Sequence, residues 1–154
     1  MAVNEVLRQE LTDDPEGLGY ATLSDPQAAD LLNTANRTVR GTAQASDVRR
    51  FVLIKGLWPK IAVAAQSAPD PVVQGTAITI LQTLAPHSFE QIRMSDTEVF
   101  DAVSQMLDVM VGASIMTPEQ KIAMIALGDV VISRAEQLGL GYIHHIDVAE
   151  ARNG

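Results

Sequence analysis

Residues Ser95–Met110, SDTEVFDAVSQMLDVM, decide the fold class. Ser95 and Glu98 stand at the spacing of a capping box, in which a hydroxyl and a carboxylate satisfy backbone N–H groups that a helix start leaves unpaired. Val99, Val103, Met106, Leu107 and Met110 then recur at helical spacing, an apolar face four turns long. Toward the C-terminus, Thr117-Pro118-Glu119-Gln120 repeats the start signal with proline in the first turn, ahead of Ile122, Ile125 and Ala126. Gly128 breaks or bends this helix before Val131, Ala135 and Leu138 resume the stripe, and Gly139 and Gly141 stop it. Asp147 is placed to cap a last turn over Val148–Arg152.

The same signals run toward the N-terminus. Pro71 suits the first turn of a helix carrying Val73, Ala77, Ile80, Leu81 and Leu84, although its Val, Thr and Ile content leaves a strand open for Ile78–Leu81. Ser46 and Asp47 can start a segment through Val48, Phe51, Val52 and Lys55, which Gly56 interrupts before Leu57, Trp58, Ile61, Ala64 and Ala65. Val3, Val6, Leu7 and Leu11 form an apolar stripe that Pro15, Gly17 and Gly19 end in an irregular loop. Ser24 and Gln27 make another capping box, so a second helix begins near Asp25. Tyr20 lies between these helices, its ring expected across their junction with the hydroxyl in water. These readings give an all-α fold: a compact single domain over 1–154, of about five to seven short helices, with residues 33–45 as a mobile connection.

A chain of 154 residues, 47% of them hydrophobic, is of one-domain size and long enough to bury a core. It contains no cysteine, which excludes disulfides, thiolate metal sites and thiol nucleophiles. No run of about 18 apolar residues is available to span a bilayer, and no basic region with an apolar stretch opens the chain as a secretory signal would. We therefore expect a soluble protein, made in the cytoplasm and not inserted in a membrane.

The formal net charge of −8 is unevenly spread. Residues 1–36 hold one basic and seven acidic side chains, 37–60 hold six basic and one acidic, and 61–154 hold four basic and eleven acidic. The basic segment comprises Arg37, Arg40, Arg49, Arg50, Lys55 and Lys60. Neutralising phosphate charge dominates nonspecific nucleic-acid affinity, so such a segment is a candidate contact. A dedicated binder presents a basic domain, whereas this chain is acidic overall with a pI near 4.7, which favours an intramolecular or protein-facing role.

Residue patterns that suggest chemistry have simpler readings. His144 and His145 would point to opposite sides of an extended segment and cannot easily share a metal ion, and His87 has no motif with them. Arg134 and Glu136 are expected as solvated charges, with Arg134 able to bridge to another helix. Asp13-Asp14 and Asp96/Glu98 sit near helix ends, where carboxylates serve backbone groups. Gly17-Leu18-Gly19 and Gly139-Leu140-Gly141 lack the third glycine and the strand-to-helix setting of a dinucleotide loop, and no serine sits in a nucleophile elbow. Met94, Met106, Met110, Met116 and Met124 suit an irregular core better than an adaptable groove. With Trp58 the only tryptophan and few other aromatics, a base-stacking platform has little to build on. The expectation is no catalytic residue, no cofactor and no metal.

Glu10-Leu11-Thr12-Asp13-Asp14-Pro15, then Gly17-Leu18-Gly19-Tyr20-Ala21 and Ala28-Ala29-Asp30-Leu31-Leu32-Asn33, resembles small bacteriophage-encoded proteins found among virion and tail genes. Ser133-Arg134-Ala135-Glu136-Gln137-Leu138-Gly139 with Asp147-Val148-Ala149 resembles the end of the same proteins. The two blocks, Leu7–Asn33 and Leu127–Arg152, cover about a third of the chain. The resemblance implies a non-enzymatic virion or tail-associated structural or adaptor protein, made in the host cytoplasm and carried in the virion. Its partners would be other virion or tail proteins, or copies of itself. Tyr20, Trp58 and Arg134 are the expected contact anchors, because large rings and arginine dominate interface energies. Arg37, Arg40, Arg49 and Arg50 are the expected contacts for an acidic partner. A phage regulatory module binding nucleic acid or a host factor through residues 37–60 is the alternative, with a small hydrolase a distant third.

Overall fold

The computed structural model describes residues 3–86 and 88–154. Its elements run α1 (Val3–Asp13), a 3₁₀ turn (Tyr20–Thr22), α2 (Asp25–Asn33), β1 (Ala35–Arg40), β2 (Thr42–Gln44), α3 (Ala45–Ile54), α4 (Leu57–Ser67) and α5 (Pro71–Leu84). β3 (Gln91–Arg93), α6 (Thr97–Gly112), α7 (Pro118–Ala126), β4 (Asp129–Ser133), α8 (Arg134–Gln137) and α9 (His145–Asn153) follow. The protein is predominantly helical, yet the all-α expectation needs correction. Four short strands pair as two two-stranded sheets, β1 with β4 and β2 with β3, and the described helices outnumber the five to seven expected. Residues 33–45, expected as a connection, supply β1 and β2.

Two compact units divide the chain. A central unit spans Val39–Val130, and a terminal unit combines the residues up to Thr38 with Val131–Gly154. In the terminal unit, Leu7, Tyr20, Ala28, Leu32, Ile143 and Val148 form the core, with α9 packed on both α1 and α2. Asn33 ties the C-terminal stretch down: its side chain donates to the Ile143 carbonyl at 2.7 Å and accepts from the Ile143 N–H at 2.9 Å. The Ser24/Gln27 capping box forms as read, with Pro26 in the first turn of α2. Asp14 closes the loop after α1, its carboxylate accepting the N–H groups of Leu18 and Gly19 at 2.7 Å each.

In the central unit, α4 and α5 form the most extensive helix pair, and α6 supplies Leu107 and Met110 to the core beside Val52, Leu57 and Ile61. Met94, Met110, Met116 and Met124 are buried, and Met106 lines the same interior, where an apolar cavity of about 60 Å³ remains. Flexible methionines fit such irregular space, in keeping with a core role. β2 pairs antiparallel with β3, Ala43 opposite Ile92.

Several boundaries differ from the sequence reading for physical reasons. The cap of α6 is Asp96, whose carboxylate accepts the N–H groups of Glu98 and Val99, while the Ser95 N–H is committed to the Gly41 carbonyl. A carboxylate caps about as well as a hydroxyl and adds a favourable negative charge at the helix N-terminus. Helix α3 begins at Ala45, ahead of Ser46. Ile78–Leu81 is helical within α5, where the Thr79 and Thr83 hydroxyls bond back to the carbonyls of Gly75 and Thr79. Of the stripe expected to resume after Gly128, Val131 lies instead in strand β4, where Val130, Val131 and Ile132 are three consecutive β-branched residues, while Ala135 is buried in helix α8 and Leu138 caps its end. Helix α9 is capped from His144, with Asp147 accepting the His144 N–H at 2.7 Å, so Asp147 lies inside the helix it was expected to precede.

Candidate functional site

A polar cluster lies in the core of the terminal unit. Glu10 falls at the helical position where α1 turns inward, between Leu7 and Leu11, and only 4% of its surface is exposed. Arg134, from α8, meets it with two parallel bonds of 2.7 Å, Nε to Oε1 and Nη2 to Oε2. The planar guanidinium matches a carboxylate in this way, giving geometry as well as charge neutralisation. Arg134 Nη1 also donates to Glu16 at 3.0 Å and to Gln137 at 3.0 Å. Arg37 completes the chain of charges by pairing with the other Glu16 oxygen, while its own Nε is buried without a partner.

Tyr20 has 0% exposure, and its hydroxyl donates to Glu10 Oε1 at 3.1 Å. The hydroxyl is therefore inside, where water was expected. Burial and then the negative charge of Glu10 hold this phenol well above its usual ionisation range. The hydrogen bond to Glu10 raises Arg134, and the hydrogen bond from Arg37, aided by the Arg134 charge, lowers Glu16. Tyr20 and Arg134, expected as contact anchors, thus spend their polar groups inside the unit. Arg134 does bridge helices, as its alternative reading had it. Glu10 was missed, although a carboxylate interrupting an apolar stripe is a legible sign of a buried partner.

The basic segment is divided between the two units. Arg37 belongs to the terminal unit and is paired there. Arg40 is in the central unit, its guanidinium carbon 3.3 Å from the centroid of the Phe100 ring. Arg49 donates to the Leu84 carbonyl at 3.4 Å. Arg50, Lys55 and Lys60 remain exposed.

The exposed side of α3 joins Ser46, Asp47 and Arg50 to two large apolar side chains at its C-terminal end. Val48 and Val52 face inward, yet Leu53 is 71% and Ile54 64% exposed, and Trp58, at the start of α4, is 38% exposed. Arg50, Leu53 and Ile54 are spaced i, i+3, i+4 and so share one face. Next to this corner, Pro59, Lys60, Val63, Ala64, Val72 and Val73 border a shallow groove of about 960 Å³ that reaches the end of α6 at Val109 and Ile115. In the terminal unit, Tyr142 is 71% exposed, its ring edge-on to His144 at 5.0 Å, and Ile146 is exposed on α9.

His87 lies outside the described residues. Among the described residues, no three His, Asp or Glu side chains cluster to hold a metal, and no helix is long and apolar enough to cross a membrane. Comparison with protein-family models, curated proteins and solved structures finds no match to this chain.

Proposed function

We propose that this is a bacteriophage virion or tail-associated adaptor, acting without catalysis through protein–protein contacts. The observation that carries the reading is the outward apolar end of α3, where Leu53 and Ile54 are more exposed than buried, with Trp58 exposed in the first turn of α4. Grouped large apolar side chains on an otherwise charged surface are a recurrent mark of protein contact sites. The likeness of the terminal blocks to virion and tail proteins supplies the setting, with synthesis in the host cytoplasm and residence in the particle. The regulatory alternative is weakened by the engagement of Arg37, Arg40 and Arg49 within the protein, which leaves three of the segment's six cations for phosphates.

Mass spectrometry of purified particles tests the proposal. The protein is expected at fixed stoichiometry in virions. Recovery from infected-cell lysate but not from particles would overturn it.

A further inference from the structure

The two units differ sharply in charge. The terminal unit carries ten acidic and four basic residues, and the central unit nine acidic and seven basic, so six of the eight net negative charges belong to the terminal unit. Within the central unit, α3, its C-cap and α4 carry Arg49, Arg50, Lys55 and Lys60 against one acidic residue, Asp47 in the first turn of α3. Its outward side presents Leu53, Ile54 and Trp58 among Arg50, Lys55 and Lys60. The surface that complements it must be acidic and must offer apolar side chains. The terminal unit has such a surface: Tyr142, His144, His145 and Ile146 are exposed, and Glu150, one helical turn after Ile146, supplies an exposed carboxylate on the same face of α9, with Asp147 half-buried in the cap.

We propose that the protein self-associates head to tail, the basic apolar face of α3 on one copy docking against the acidic Tyr142–Glu150 surface of a second copy. This rests on the reading above, that the protein works through protein contacts, and names the partner. Apolar side chains supply the burial, while opposite charges set orientation and speed encounter. Because the two surfaces differ, the contact is heterologous, and each copy keeps one free face for the next. Leu53, Ile54, Tyr142 and Ile146 belong to neither core cluster, so substitutions of them leave each unit's core intact.

Two double variants test it, Leu53→Ser with Ile54→Ser and Tyr142→Ser with Ile146→Ser, with circular dichroism to check folding. In sedimentation velocity at low salt, the wild type is expected to grow in mass with concentration, and less so as salt rises. Each variant alone is expected to stay monomeric. Mixed in equal amounts, they are expected to form a dimer and go no further, because one intact face of each kind remains. Arg50→Glu should weaken wild-type assembly, and Glu150→Arg in the other copy should restore it, a readout that requires no apolar substitution. A wild type that stays monomeric up to sub-millimolar concentration overturns the proposal, as does a Tyr142/Ile146 variant that still dimerises with itself. Flotation of monomeric wild type with vesicles of phosphatidylglycerol, abolished by the Leu53/Ile54 variant, would overturn it by assigning the α3 face to an anionic membrane. A monomer present at fixed stoichiometry in particles would defeat the self-association while leaving the adaptor role standing. Assembling copies absent from particles would do the reverse.

Discussion

Glu10, Tyr20 and Arg134 show how a buried charge is made tolerable. An isolated buried carboxylate is costly, but Glu10 receives two guanidinium bonds and a phenol hydroxyl, so each of its oxygens is engaged. Breaking such a pair from one side leaves the other charge stranded, so Arg134→Ala is expected to destabilise by about 3–5 kcal/mol. Tyr20→Phe removes only the neutral donor and should cost about 1 kcal/mol. Urea denaturation of both variants checks this, and equal losses would show that the arginine is not the principal partner. The pH dependence has two limbs. Glu16 ionises more readily in the folded state, so its contribution is present above its ordinary value of 4.5 and is lost as pH falls through its lower folded value. Tyr20 holds its proton more tightly when folded, so its contribution is complete below its ordinary value of 10.0 and is lost as pH rises beyond that. Stability measured against pH should therefore decline on both the acid and the alkaline side, and Tyr20→Phe should flatten the alkaline limb selectively.

Among elements, helices whose ends are marked by local chemistry were legible. The boxes at Ser24/Gln27 and Thr117/Gln120, and Gly56 with φ 66° between α3 and α4, are readable because each feature satisfies or bends its own neighbourhood. Strands β1 to β4 were not, since each is short and gains its bonds from residues far along the chain. Gly41 and Gly128 illustrate this. The Gly41 N–H donates to the Gly128 carbonyl at 2.7 Å, and a Cβ on Gly41 would stand 2.7 Å from that same oxygen. Gly41→Ala must push backbone apart there, and we expect a loss of about 1–3 kcal/mol in the range of overpacking. A thermal melt unchanged from wild type would show that the strands can separate at no cost. Val103→Asp probes α6, where Val103 lines the small methionine cavity and a charge would sit among apolar atoms. Thermal unfolding well below the wild-type midpoint is expected. The candidate surfaces were less legible than the helices: Trp58 was anticipated, but Leu53 and Ile54 emerge only once Val48 and Val52 are known to take the inward face.

Across the whole molecule, the terminal unit is assembled from the two ends of the chain, Arg134 reaching Glu10 across 124 residues of sequence. Chain-closure entropy makes such distant contacts slow to form, whereas Val39–Val130 is continuous. During synthesis the central unit is complete once Val130 has emerged, while α1 and α2 wait unpaired for α8 and α9. Nature has also placed a separate optical reporter in each part: Trp58 lies in the central unit, and both tyrosines, Tyr20 and Tyr142, lie in the terminal one. Refolding followed by tryptophan emission should run ahead of the tyrosine near-ultraviolet dichroism, and identical time courses would show that the two ends close as early as the middle. Until they close, a nascent chain exposes Leu7, Leu11 and Leu32 to its surroundings, so the interval between the two signals is the period in which the protein most needs a chaperone.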